Sequence, residues 1–206
     1  MKVLLVNGSP RQKGCTYTAL TEVAKTLEKE GIACEIFQLG ENSLSSGREG
    51  QLCEKENAYD LDESVQIFLD KSKDFDGFVF GSPVHYAAAS GAITSFLDRV
   101  FSSGRKTLQF KPAATVVSAR RAGATAALDQ LNKYPTISQM PLVSSKYWNM
   151  VHGNTPDEVM KDLEGMQIMR TLGRNMAWML KSLEAGRKAG IDIPDQENPV
   201  TTNFIR

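Results

Sequence analysis

The stretch "VNGSPRQKGCTYT", residues Val6 to Thr18, breaks an apolar run at Gly8-Ser9-Pro10, passes through Arg11 and Lys13 to Gly14, and ends in three hydroxyl-bearing residues, Thr16, Tyr17 and Thr18. Upstream, Lys2 to Val6 reads as a short strand buried on both faces, because its apolar residues do not alternate. Downstream, Leu20, Val23, Ala24 and Leu27 fall at helical spacing, and Gly31 follows the last turn as a stop. A helix starting near Cys15 or Thr16 points its unbonded first-turn amides, and the positive end of its dipole, into the preceding loop. Ser9, Thr16 and Thr18 add hydroxyl donors there, and Arg11 adds a forked cation. That set suits a phosphate monoester; the plainer alternative is a capped strand-to-helix turn. Two nucleotide motifs fail. A Walker loop has four residues between its glycines and then Lys, whereas Gly8 and Gly14 are one residue further apart and Cys15 stands where Lys belongs. The dinucleotide pattern Gly-x-Gly-x-x-Gly is absent as well.

Working outward, Ile32 to Leu39 predicts a second strand. The polar, aperiodic stretch Gly40 to Asp60 predicts a long loop. Val65, Phe68 and Leu69 mark a short helix. "FDGFVFG", Phe75 to Gly81, predicts a third strand, and Ile93, Phe96, Leu97, Val100 and Phe101 form a helical stripe. Ala113 to Ala119 reads as a fourth strand and Ala122 to Asn132 as a helix. Pro141 to Trp148 is the expected last strand or its approach. Thr155, Pro156 and Glu158 then form a capping box with Pro at the first helical position, opening one long amphipathic terminal helix with a polar tail after Gly190. Strand and helix thus alternate through five strands. This predicts one α/β domain over residues 1–206, a three-layer sandwich with a parallel sheet in the order 2-1-3-4-5.

The chain's 206 residues carry 24 basic and 24 acidic side chains. A chain of this length buries roughly 70% of its unfolded surface. Balanced charge argues against nucleic acid as a partner. The apolar start is too short for a signal peptide and nothing approaches a membrane span. Cys15, Cys34 and Cys53 are too few and scattered for a disulfide framework, so a cytoplasmic location is expected.

Ligands of an open parallel sheet collect beyond the strands' carboxyl ends, where strand order reverses. Two further loops should reach that edge. Ser82 to Gly91 places small residues, Pro83 and Ala87 to Ala89, around Val84, His85 and Tyr86, so a flat ring can approach the backbone. Tyr86 has two readings, a stacking plate or an inward-packed aromatic. His85 has no second ligand near it in sequence, and with His152 far along the chain a two-histidine metal site is unsupported. Ala119 to Thr125 offers Arg120, Arg121 and Gly123; the arginines read either as an anion site or as a solvated basic pair.

Together, "GSPRQKGCT", "GSPVHYAAASGAITSFLDR" and "KYWNMVHG" resemble the NADPH-dependent FMN reductase family of the flavodoxin-like superfamily, along nearly the whole chain. The resemblance implies FMN held by its phosphate on Ser9, Arg11, Gly14, Cys15 and Thr16. Its ring would lie against Pro83, Val84, His85 and Tyr86, with the loop of Ala119, Arg120 and Gly123 beside it. Family members often carry Asn where Cys15 stands. The pattern is especially similar to iron-sulfur flavoproteins, but in the loop where those carry clustered cysteines only Cys53 remains, so no iron-sulfur cluster is expected. Cys53 itself reads as a redox thiol or as incidental. The implied activity is an oxidoreductase that passes hydride from NAD(P)H to FMN and on to a small-molecule acceptor: a quinone, flavin, azo or nitro compound. Arg120 or Arg121 would favour NADPH. No acid–base catalytic residue is implied. The alternatives are a flavodoxin-like electron carrier, against which zero net charge speaks, and a regulatory protein without turnover. A homodimer or homotetramer is expected by the same resemblance, with Tyr147 or Trp148 candidates to cover a partner's flavin. The methionines Met160, Met166, Met169, Met176 and Met179 read either as core or as an interaction surface.

Overall fold

The structure is a computed structural model that describes residues 1–39 and 61–204. The expected loop from Gly40 to Asp60, with Cys53, lies outside the described residues. Among those described, a parallel sheet is built from β1 (Lys2–Asn7), β2 (Ala33–Gln38), β3 (Gly77–His85), β5 (Ala113–Ala119) and β6 (Met150–His152), in the order β2-β1-β3-β5-β6. The two-residue β4 (Ala88–Ala89) pairs antiparallel with the end of β3 and lies off this path. The order is the expected 2-1-3-4-5 of the main strands, the flavodoxin-like arrangement.

Each strand's alternation sends side chains to two separate cores. Leu4, Val6, Phe78, Phe80 and Val117 point to one face, under α2 (Leu61–Ser72), α3 (Gly91–Ser103), α4 (Arg105–Leu108) and α5 (Ala124–Ile137). Val3, Leu5, Val79, Ala114 and Val116 point to the other, under α1 (Cys15–Lys29) and α7 (Leu163–Lys188). Near-continuous apolar strands are therefore what a sheet covered on both sides requires. The first face is aromatic: Phe68 and Phe96 meet edge to face at 5.2 Å, and Phe78 and Phe80 stack at 6.2 Å.

Several boundaries differ from expectation, among them the helix expected over Ala122–Asn132, which is Ala124–Ile137. The third strand runs past Gly81 to His85, because Ser82 and Pro83 stay in register with Val117 and Ser118 of the long β5. The last strand is Met150–His152 rather than Pro141–Trp148; the earlier segment touches the sheet through a single bridge, Leu142 to Ala113. The terminal helix is two helices, α6 (Pro156–Lys161) and α7. Thr155 caps α6 as expected, its hydroxyl accepting from the Glu158 amide, while Glu158 accepts from Asn154 N at 2.6 Å. Asp162 breaks the run: its non-helical backbone caps α7, with Oδ1 accepting from Gly165 N at 2.9 Å. Met166, Met169 and Met176 on α7 are buried core, whereas Met160 on α6 is exposed. No helix is long and apolar enough to cross a membrane among the described residues.

Candidate functional site

At the carboxyl edge of the sheet four loops enclose a cavity of about 260 Å³. The first loop is organised by Asn7, fully buried at the end of β1. Its Oδ1 accepts from Ser9 N, and its Nδ2 donates to Gln12 O and, at 2.6 Å, to Gln38 Oε1 of β2. Gln38 in turn donates to Ser9 O at 2.8 Å. Ser9 Oγ accepts from Arg11 N, so the loop's shape is fixed from within. Gly8 is required by packing: a Cβ there would stand 2.6 Å from Ile93 Cβ and 2.8 Å from Gly81 O.

Gly14 is the N-cap of α1 and makes no side-chain cap. The first-turn amides of Cys15 and Thr16, both lining the cavity, thus have no acceptor from the cap residue. Thr16 Oγ1 lies 2.8 Å from Ser118 Oγ of β5, both residues buried. The Cys15 thiol donates to Gly153 O at 3.6 Å. Burial pushes its pKa up, opposed by the nearby Arg11 guanidinium.

The second loop is a tight hairpin. His85 pairs with Ala88, leaving Tyr86 and Ala87 as a two-residue turn with φ of 51° and 62°. Both residues therefore sit in the left-handed region, where side chains are strained. Tyr86 projects fully into solvent. Ser90 joins this hairpin to the first loop, its Oγ donating to Gly8 O at 2.9 Å and its amide to Ser82 Oγ. The third loop meets the hairpin at Gly123, whose φ is 90° and whose Cβ, if present, would stand 2.6 Å from Ala87 Cα. Arg120 and Arg121 are exposed, while Ala119 is buried.

Of the residues nominated from sequence, Ser9, Arg11, Cys15 and Thr16 line the cavity together with Pro83, Val84, His85 and Arg120. Gly14, Tyr86, Ala119 and Gly123 do not line it; Gly14 and Gly123 shape its loops, and Ala119 O accepts from Gly153 N at 3.0 Å. Pro10, Ser118, Gly153 and Asn154 line it without having been nominated. The last two belong to a fourth wall beyond β6, which the misplaced last strand concealed. Asp162 holds that wall, its Oδ2 accepting from His152 N at 2.7 Å. Among the described residues, no group of three or more His, Cys, Asp or Glu side chains is placed to hold a metal ion.

Residues 1–155, which contain every cavity-lining residue, match the family described as NADPH-dependent FMN reductase. The chain belongs to this family. Its curated relatives include an iron-sulfur flavoprotein of Methanocaldococcus jannaschii, 26% identical over 89% of this chain and 100% of that protein. A second iron-sulfur flavoprotein of the same organism is 24% identical over 84% of this chain and 94% of that one. The chain is thus a distant homologue of iron-sulfur flavoproteins. Among solved structures, a flavone reductase superposes with a TM-score of 0.67 at 19% identity, covering 89% of this chain and 64% of that one. RosB, solved with 8-demethyl-8-formylriboflavin-5'-phosphate, gives 0.66 at 17% identity over 99% of this chain and 92% of that one. At these identities the superpositions establish the shared fold. The family membership makes this chain a flavin-binding reductase.

Proposed function

We propose that the chain is an NAD(P)H oxidoreductase that holds FMN in the cavity and delivers electrons to a small-molecule acceptor. The observation that carries this is the opening of α1: a helix start without a side-chain cap, with Ser9, Thr16 and Arg11 beside it on the cavity wall. An anion there meets amide dipoles, two hydroxyls and a guanidinium. The donor set fits the phosphate of FMN. Pro83, Val84 and His85 supply a small-residue wall for the ring, and the strained Tyr86–Ala87 turn keeps that wall's tip beside Gly123. Bound FMN supplies hydride acceptance from a reduced nicotinamide and onward electron transfer. The protein's own part is placement: Arg11 neutralises the phosphate, backbone amides along Val84–Ala87 and beyond Ala119 face developing negative charge, and exposed Arg120 and Arg121 meet the nicotinamide cofactor's phosphates. This last contact favours NADPH over NADH.

An iron-sulfur cluster is not part of the proposal. Of the three cysteines, the Cys15 thiol is engaged with Gly153 O and Cys34 sits half-buried on β2, and a four-iron cluster takes four ligands. The test is the visible spectrum of the purified protein, anaerobically, before and after NADPH, followed by menadione. A flavin spectrum bleached within the dead time of mixing and restored by menadione is the expected result. A flavin reduced only slowly, with a persistent one-electron signal, supports the carrier reading instead. Absence of flavin affinity at micromolar FMN overturns both.

A further inference from the structure

We propose that residues 191–204 form an arm that docks on a second copy of this chain, along an aromatic and basic face where α7 meets the segment before β6. Beyond α7 the chain has neither helix nor strand up to residue 204. Ile191, Ile193, Val200 and Phe204 are 67%, 62%, 96% and 93% exposed. These four large apolar side chains on fourteen residues supply the apolar part of the proposed contact. Ile191 lies beside Gly186 at the end of α7, whereas Ile193, Val200 and Phe204 stay exposed on their own chain. Gln196 Oε1 accepts from Gln109 Nε2 at 3.3 Å, which carries the arm toward α4. That helix packs with α2 and α3, in the layer opposite α7.

The receiving face is assembled by two hydrogen bonds. Lys146 Nζ donates to Gln167 Oε1, and Asn175 Nδ2 donates to Ser144 O at 2.7 Å, so residues 144–148 lie alongside α7. The rings of Tyr147 and Trp148 meet at 4.6 Å with both residues half-exposed. Trp178, one turn beyond Asn175, is 67% exposed. Exposed Tyr and Trp at such density mark interface anchors.

Charge selects the arm as the occupant. From Ile191 to Phe204 it carries Asp192, Asp195 and Glu197 and no base. From Gly165 to Leu183, α7 carries Arg170, Arg174 and Lys181 and no acid, and the segment Pro141–His152 adds Lys146, again with no acid. Arg170 pairs with Glu22 of α1 and Lys181 with Glu30 at its C-cap, whereas Arg174 and Lys146 make no ion pair among the described residues. An acidic, apolar arm thus matches a basic, aromatic face. Extended, the arm reaches roughly 45 Å at about 3.3 Å per residue, enough to cross onto a neighbour. Reciprocal exchange of two arms gives a closed, two-fold pair.

The test is the mass of the full chain in solution by light scattering, from 1 to 50 μM, against three variants. One lacks the residues after Gly190, one carries Lys146→Glu with Arg174→Glu, and one carries Asp192→Lys with Asp195→Lys. The full chain is expected to be oligomeric. Each variant should weaken association at least tenfold while keeping the wild-type far-ultraviolet dichroism, and joining the two charge reversals in one chain should restore it. All the changed residues are at the surface, so loss of fold is not the expected route to a monomer. A monomeric full chain, or an oligomer that survives removal of the arm, overturns the proposal.

Discussion

Thr16 Oγ1 and Ser118 Oγ stand 2.8 Å apart and buried, joining the start of α1 to the end of β5 at the cavity wall. Neither residue alone explains the contact; it exists because the crossover brings two chain segments 102 residues apart to one corner. Ser118→Ala leaves a buried hydroxyl without this partner and should cost about 1–2 kcal/mol in urea unfolding. Thr16→Val combined with Ser118→Ala should cost clearly less than the sum of the two single changes, because no unpaired group is left behind. Additive losses would show that the hydroxyls act independently.

Arg11 is exposed on the first loop, so Arg11→Ala should leave stability within about 0.5 kcal/mol of the parent. FMN affinity, read by quenching of flavin fluorescence, should fall about tenfold or more, as loss of a charged hydrogen-bonding partner predicts. Unchanged affinity would remove Arg11 from the phosphate site.

At Gly123 the backbone has φ of 90°, and a Cβ would stand 2.6 Å from Ala87 Cα. Gly123→Ala should therefore destabilise the chain by about 2 kcal/mol or more, through backbone strain and displacement of the hairpin. Flavin affinity should fall with it. The opposite sign is expected at the hairpin tip, where Ala87→Gly removes a left-handed alanine and should raise the melting temperature slightly.

Asp162 bridges His152 N and Gly165 N with its two carboxylate oxygens. Asp162→Ala should cost about 1–3 kcal/mol and loosen Gly153–Asn154 at the cavity wall. Asp162→Asn retains one acceptor oxygen and should recover part of the loss. Hydrogen exchange at the Gly165 amide is the direct readout.

Burial pushes the Cys34 thiol from its usual 9.0 to about 12, with the Glu28 carboxylate adding to the rise. Burial and the hydrogen bond to Asp98 also raise the Tyr134 phenol well above the usual tyrosine range. A group held protonated in the folded chain while its unfolded counterpart ionises favours folding below the unfolded pKa and loses that contribution as pH rises. Stability should therefore decline from about pH 9 toward pH 12. Cys34→Ala and Tyr134→Phe should each flatten that decline, measured by chemical unfolding at successive pH values.

The local pieces were legible because they rest on contacts a few residues apart. Leu20, Val23, Ala24 and Leu27 set one buried face of α1, and Thr155 with Glu158 set the start of α6. The non-alternating apolar run of β1 announced a strand covered on both faces, and eight of the twelve residues lining the cavity were among those expected from the sequence. Asp162 was missed because the apolar period continues through it, and only the tertiary contact to His152 makes the break worthwhile. β6 was misplaced because its pairing with β5 decides where it lies, and nothing in three residues of sequence fixes a register. With it went Gly153 and Asn154, the wall nearest Cys15. The amino-acid order by itself thus determined most of the strands and helices, and that a helix start rich in hydroxyls beside Arg11 follows the first strand, since periodicity and helix-end chemistry are local. Which four loops close around that helix start, and that Ser118 faces Thr16 there, only the folded chain decided, because those distances depend on how strands pair across the sheet.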